Sequence, residues 1–148
     1  MSKIYISLTG GLGNQLYIVA TGIAISKMLK QEIVFDTSTY KRYKVHKLLT
    51  NHLINSLSLE KNNLIFRGYP LLSKDRKLLI NLKEKSPSYD SNLLKRIKNR
   101  LPFCDYFLKG YFQSLSYFSH IIPELRIEII NNLLNINKEL NNSKTINI

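Results

Sequence analysis

Residues 3–15, KIYISLTGGLGNQ, decide the fold class. Alternating β-branched and aromatic residues over Lys3–Leu8 predict a short buried β-strand, which the following glycines end. An apolar helix is predicted over Gln15–Lys30, with Asn14 as its N-cap. Residues 32–36, EIVFD, then predict a second buried strand. Strand, glycine turn, helix and strand make a βαβ unit, so we expect an α/β fold: a Rossmann-like parallel sheet with flanking helices.

Later parts of the chain carry weaker patterns. We expect loops with short elements over residues 37–91, a basic helix over Leu93–Leu101, and an inner strand over Tyr106–Phe112. Apolar spacing predicts a further helix over Glu124–Leu134. Residues 144–148 begin a strand-like alternation, so we interpret the sequence as truncated within a strand.

Composition and charge narrow the class of protein. A chain of 148 residues with 44% hydrophobic residues can build one domain with a real core. Its single cysteine, Cys104, excludes a disulfide scaffold, and the sequence has no secretory signal pattern and no apolar run long enough to span a membrane. We therefore expect a cytoplasmic protein. Residues 41–100 hold 15 Lys/Arg against 4 Asp/Glu, so most of the net charge of +12 lies in the middle of the chain.

The glycine turn is the strongest candidate for binding chemistry. Glycines between a strand and a helix let a ligand approach backbone N–H groups at the positive end of the helix. A dinucleotide-binding fingerprint would use Gly11, Gly13 and the carboxylate of Asp36. Its third glycine is missing, because Leu16 stands at that position. Asp36 is better interpreted as a hydrogen-bond acceptor for the loop that follows it than as a catalytic base.

Three ordered blocks carry a resemblance to a known family. Residues 10–16 (GGLGNQL), residues 35–40 (FDTSTY) and residues 108–118 (LKGYFQSLSYF) resemble the amino-terminal half of the α-1,2-fucosyltransferases of glycosyltransferase family eleven. The resemblance implies a GT-B enzyme with two Rossmann-like domains. It also implies inverting transfer of fucose from GDP-β-L-fucose to the 2-hydroxyl of a galactose in a surface glycan or O-antigen-type acceptor. No metal or other cofactor is expected.

The resemblance also suggests substrate-binding residues. Gly11, Gly13, Asn14 and Gln15 would line the cleft that faces the sugar and the leaving group. Gln113 and Ser114, which match the third block, would be further cleft or helix-cap residues. The catalytic base is not assigned, and no pair of histidines or cysteines has the spacing of a metal site.

Residues 1–148 are expected to form one amino-terminal, mainly acceptor-side domain, without the carboxyl-terminal domain that binds GDP-fucose. In the family, a His-x-Arg-x-Gly-Asp-type motif clamps the pyrophosphate, and no such string occurs here. We therefore expect a fragment that is inactive by itself.

Two alternatives of other classes remain open. One is a small Rossmann-like nucleotide-binding protein, which rests on the paired glycines and Asp36. The other is a basic, non-enzymatic module that binds RNA or membranes, which rests on charge alone. For the fucosyltransferase interpretation no nucleic acid partner is expected. Peripheral contact with the anionic inner face of the membrane through Lys95, Arg96, Lys98 and Arg100 is a hypothesis.

Overall fold

A computed structural model describes residues 2–41, 64–67, 78–127 and 130–131. The longer elements follow one another as β1 (Ile4–Ser7), α1 (Leu12–Leu29), β2 (Ile33–Asp36), β3 (Leu64–Arg67), β4 (Leu78–Lys83), α2 (Ser91–Lys98) and β5 (Cys104–Lys109). Short 3-10 helices cover Ser38–Lys41, Leu115–Tyr117 and Ser119–Ile121, and residues 122–127 are helical.

The five strands form one sheet in the order β3-β2-β1-β5-β4, and every pairing is parallel. Strand β1 lies at the centre, where Ile4 is in register with Ile33 of β2 and with Tyr106 of β5. An all-parallel sheet with helices packed on it is a Rossmann-like α/β fold, so the predicted fold class is confirmed at this level.

Alternation along the strands divides the buried side chains between two faces. Ile4 and Ile6 of β1 join a large cluster that also contains buried residues of α1 and α2. Tyr5, Val34 and Phe107 belong to a separate, smaller cluster. Both faces of β1 and β2 are buried, as expected of strands in a parallel sheet. Because both faces are buried, the sequences of such strands are continuous apolar runs.

Helix α1 packs closely on β2 at Gly22. A Cβ atom at this position would lie 2.2 Å from Cζ of Phe35, whose side chain is fully buried. The neighbour that Gly22 admits is therefore an aromatic ring. The far end of α1 is closed by Lys30 in a left-handed conformation (φ 51°), whose N–H donates to the Ser26 carbonyl.

Several predicted boundaries are wrong. Helix α1 begins at Leu12, so Asn14 lies inside its first turn. The N-cap is Gly11, which has no side chain with which to cap the helix. Strand β5 ends at Lys109 instead of Phe112, because the chain turns away with Phe112 at a positive φ of 50°. Strand β4 was not predicted as a strand at all.

Of three later expectations, one lies within the described residues, one lies partly within them and one lies outside them. The basic helix is present as α2, which begins earlier than predicted because Asp90 accepts hydrogen bonds from the N–H groups of Asn92 and Leu93. The start of the helix predicted over Glu124–Leu134 is confirmed as far as residue 127. The strand predicted over residues 144–148 lies outside the described residues.

We predict that Gly22→Ala destabilises the protein. Overpacking against a buried ring costs about 1–3 kcal/mol, which exceeds the helix-propensity gain of up to ~1 kcal/mol from replacing glycine by alanine. The free energy of unfolding in urea measures the loss. Gly13→Ala is the matched control, since an added Cβ there meets no described atom within 4 Å. Equal stability of the two variants would contradict the packing of Gly22 on Phe35.

Candidate functional site

The candidate site lies at the carboxyl edge of the sheet, where the loops that follow β1 and β5 meet. These strands are neighbours at the centre of the sheet, and the chain leaves β1 towards β2 on one side while β5 lies on the other. In open parallel sheets, ligands bind in the crevice outside the carboxyl ends of the strands at such a reversal. Both loops contain candidate site residues that were predicted from the sequence.

Glycines shape the loop after β1 in two different ways. Gly10 has a φ of +81°, and a Cβ there would lie 2.9 Å from Cε1 of Tyr111 and 2.9 Å from Nδ2 of Asn14. Gly10 is therefore required by the fold. A Cβ at Gly11 or Gly13 would meet no described atom within 4 Å. Packing of the described residues does not demand glycine at these two positions, and their backbone is open to an approaching ligand.

Gln15 holds the glycine turn in place. Its side-chain Nε2 donates to the Gly10 carbonyl over 2.7 Å, and the residue is 1% exposed. Its backbone N–H donates to the Gly11 carbonyl. The structure gives Gln15 a part in positioning the loop, and its predicted contact with substrate stays a prediction.

A side-chain hydrogen bond joins the two loops. Nε2 of Gln113 donates to Oδ1 of Asn14 over 2.8 Å, across 99 positions of sequence. Gln113 is exposed and Asn14 is half-buried. Two predicted site residues from separate blocks therefore lie side by side, with the remaining donors and acceptors of both amides suited to sugar hydroxyls or phosphate oxygens.

Glu84, which sequence reasoning missed, fixes the loop after β5. Its Oε2 accepts hydrogen bonds from the N–H groups of Tyr111 (2.9 Å) and Phe112 (3.0 Å). A Cβ at Gly110 would lie 2.6 Å from this same oxygen, so the loop can close on the carboxylate only with glycine there. No sequence signal marked Glu84, because β4 itself has no clear pattern.

Ser114, the remaining predicted site residue, begins the 3-10 helix Leu115–Tyr117. It makes no side-chain cap hydrogen bond, although its carbonyl accepts from the Tyr117 N–H over 3.2 Å. Ser114 is thus the N-cap residue of this 3-10 helix, as predicted, without a capping contact from its side chain, and a contact of Ser114 with substrate stays a prediction.

A cavity of about 340 Å³ opens between these loops and the end of β4. Its lining includes Thr9, Glu84 and Gln113 together with Lys83, Lys85 and Lys109. A larger cavity of about 460 Å³ lies between α1 and residues 115–126, but its lining is almost wholly apolar. Ligand sites combine apolar walls with a few polar groups that fix orientation, which favours the smaller cavity for a sugar.

The other chemical candidates have structural roles in the described part of the chain. Both carboxylate oxygens of Asp36 accept from Ser38, one from its N–H (3.0 Å) and one from its hydroxyl (2.9 Å), as the sequence indicated. Cys104 is buried in the core. Among the described residues, no group of three or more His, Cys, Asp or Glu side chains is arranged to hold a metal ion.

The cations of α2 and of the residues just after it are not equivalent. Lys95, Arg96 and Lys98 are exposed. Arg100 is half-buried, and its guanidinium donates to Oε1 of Gln31 and, over 3.4 Å, to the Ile97 carbonyl. Arg100 therefore ties α2 to the end of α1, and it is a poor choice for a membrane contact. Within the described ranges, no helix has the length and apolar character that crossing a bilayer requires.

Tyr117 lies beneath the loop after β5 in an environment that keeps it neutral. Burial raises the pKa of Tyr117 from 10.0 to about 12; the hydrogen bond from the Asp90 N–H (2.9 Å) opposes this rise, and the negative charges of Glu84 and Asp90 add to it. The ring is 2% exposed and packs edge-on against Phe112. The phenol is thus a neutral support for the loop.

Between pH 10 and about 12, we predict that Tyr117 contributes to alkaline unfolding. The unfolded chain loses the phenol proton at a lower pH than the folded chain, so the free energy of unfolding falls as pH rises through this window. In Tyr117→Phe this fall becomes shallower, as denaturant titrations across the window would measure. Tyr111→Phe, at an exposed tyrosine, is the control; identical slopes in both variants would contradict the assignment.

Comparisons of this chain with protein-family models, with curated proteins and with solved structures find no match.

Proposed function

We propose that this chain is the amino-terminal, mainly acceptor-side domain of an inverting galactoside α-1,2-fucosyltransferase. The observation that carries the proposal is the hydrogen bond between Asn14 and Gln113. These residues belong to two of the three sequence blocks that resemble the family, and they meet at the edge of the sheet where parallel α/β proteins bind ligands.

The open backbone at Gly11 and Gly13 adds support. Sugars are recognised by hydrogen bonds to their hydroxyls, and the start of α1 supplies backbone N–H groups that no side-chain cap occupies. A galactose in the cleft would meet these N–H groups on one side and the paired amides of Asn14 and Gln113 on the other.

In the proposed reaction, the galactose 2-hydroxyl oxygen attacks the anomeric carbon of the fucose. The bond from that carbon to the β-phosphate oxygen breaks, GDP leaves with the bonding electron pair, and the hydroxyl proton passes to a base. The donor is GDP-fucose, the acceptor is a galactose-terminated glycan, and no metal ion takes part. We assign no base, since the hydrogen bonds of Asp36 and Glu84 give both carboxylates other roles.

The nucleotide-binding alternative is less well supported. A ribose-binding carboxylate must be accessible to the ribose hydroxyls, whereas Asp36 is 4% exposed and both of its oxygens accept from Ser38. The RNA or membrane alternative still rests on charge, to which the exposed Lys95, Arg96 and Lys98 of α2 contribute. Peripheral contact with an anionic membrane remains part of the proposal for the enzyme.

We predict that the chain binds a simple β-galactoside, such as methyl β-D-galactoside, and that Asn14→Ala and Gln113→Ala each weaken binding about tenfold. Loss of one well-placed hydrogen bond accounts for a change of that size. Chemical-shift titration by NMR gives the dissociation constants. The double variant should lose less than the sum of the two single effects, because each substitution also removes the partner of the other amide.

Asn92→Ala, at an exposed position in α2, is the matched control and should bind as the unmodified chain does. Titrations with GDP-fucose and with NAD accompany the galactoside. A folded chain that binds NAD saturably but neither galactoside nor GDP-fucose would refute the proposal and favour the nucleotide-binding alternative.

A further inference from the structure

Three lysines line the smaller cavity at the carboxyl edge. Lys83 ends β4, Lys85 follows it, and Lys109 ends β5. Lys83 and Lys109 are directly in register on neighbouring strands. Like charges at adjacent positions of a sheet repel each other, and an anion bound between them would relieve that repulsion.

One carboxylate, that of Glu84, also lines the cavity, so among the described residues the three lysines are only partly balanced. The ion pair found in the described ranges joins Lys27 to Glu124, away from the cavity. Glu84 lies between Lys83 and Lys85 in sequence, but its Oε2 is occupied by the Tyr111 and Phe112 N–H groups. The Lys109 ammonium lies 5.0 Å from the centre of the Phe107 ring, a contact that holds the cation in place without neutralising it.

The rest of the lining suits a sugar. Thr9 supplies a hydroxyl, Gln113 an amide, and Tyr111 an aromatic ring that is 45% exposed. A volume of about 340 Å³ lies at the small end of the range for ligand sites. Gln113 also donates to Asn14, so the cavity lies beside a residue of the proposed galactose site.

We propose that this cavity binds an acidic saccharide, a sugar ring that carries a carboxylate or a phosphate, with Lys83, Lys85 and Lys109 as the residues that recognise the anion. The inference rests on the proposed function and deepens it: the acceptor glycan is negatively charged close to the fucosylated galactose. Tyr111 and Thr9 contact the ring, and the three ammonium groups surround its anionic substituent.

Binding of D-galacturonic acid and of its methyl ester tests the inference, because the two sugars differ mainly in charge. The chain is expected to bind the acid about fivefold more tightly than the ester in ~50 mM salt, as two or three partly exposed charge contacts would provide, and to lose most of that preference in ~300 mM salt. Galactose 6-phosphate, compared with galactose, tests the phosphate form of the same anion.

Lys83→Gln, Lys85→Gln and Lys109→Gln are combined in one variant, which should bind acid and ester equally. The matched control combines Lys3→Gln, Lys30→Gln and Lys98→Gln, which remove the same charge at the amino ends of the strands. This control should keep the preference. Circular dichroism and thermal unfolding verify that both variants fold, and Lys109→Gln alone, which should lose part of the preference, is the milder second variant.

Three outcomes would overturn the inference: equal binding of acid and ester by the unmodified chain, equal loss of preference in both triple variants, or a lysine-dependent preference for GDP over guanosine without one for galacturonate. The last result would assign the lysines to the diphosphate of the donor. A chain that binds methyl β-D-galactoside through Asn14 without any charge preference would retain the proposed function and lose this inference alone.

Discussion

Parallel pairing of β1 with both of its neighbours is the constraint on which the rest of the structure depends. The register that aligns Ile4 with Ile33 also aligns it with Tyr106. Because all three strands point the same way, the loops that leave β1 and β5 emerge at one edge. The meeting of Asn14 with Gln113 is a direct result of this pairing.

The loops at that edge are held in place by hydrogen bonds from side chains of neighbouring elements. Gln15, from inside α1, fixes the Gly10 carbonyl, while Glu84, from the end of β4, fixes two N–H groups after β5. Tyr117 supports the second loop from below as a neutral phenol. Such supporting hydrogen bonds preorganise exposed side chains, which then lose less conformational entropy when a ligand binds.

The βαβ unit could be predicted from sequence because local patterns determine it. Apolar runs on either side of a glycine turn identified β1, α1 and β2, and two ordered blocks placed Asn14 and Gln113 among the candidate site residues. Strand β4 could not be predicted, since its outer residue Leu78 is 66% exposed and only Leu82 is fully buried, which leaves no alternation to read. Edge strands carry little pattern for this reason.

The helix cap and the role of Glu84 were missed for a different physical reason. Asn14 has the chemistry of a cap, but the helix starts at Leu12, and the amide instead meets Gln113, 99 positions away. Glu84 likewise acts on a loop more than 25 positions away. Long-range contacts of this kind leave no mark in local spacing, so they become visible only in three dimensions.

The separation in sequence between β1 and β5 also determines when these two strands can pair during translation. Strand β2 follows β1 by about 30 residues, whereas Tyr106 is made about 100 residues after Ile4. At ~5–20 residues per second, one edge of the central strand waits roughly 5–20 s on the ribosome for its partner. Throughout that interval an apolar strand edge stays without its β5 partner, and unpaired strand edges are sites at which chains aggregate.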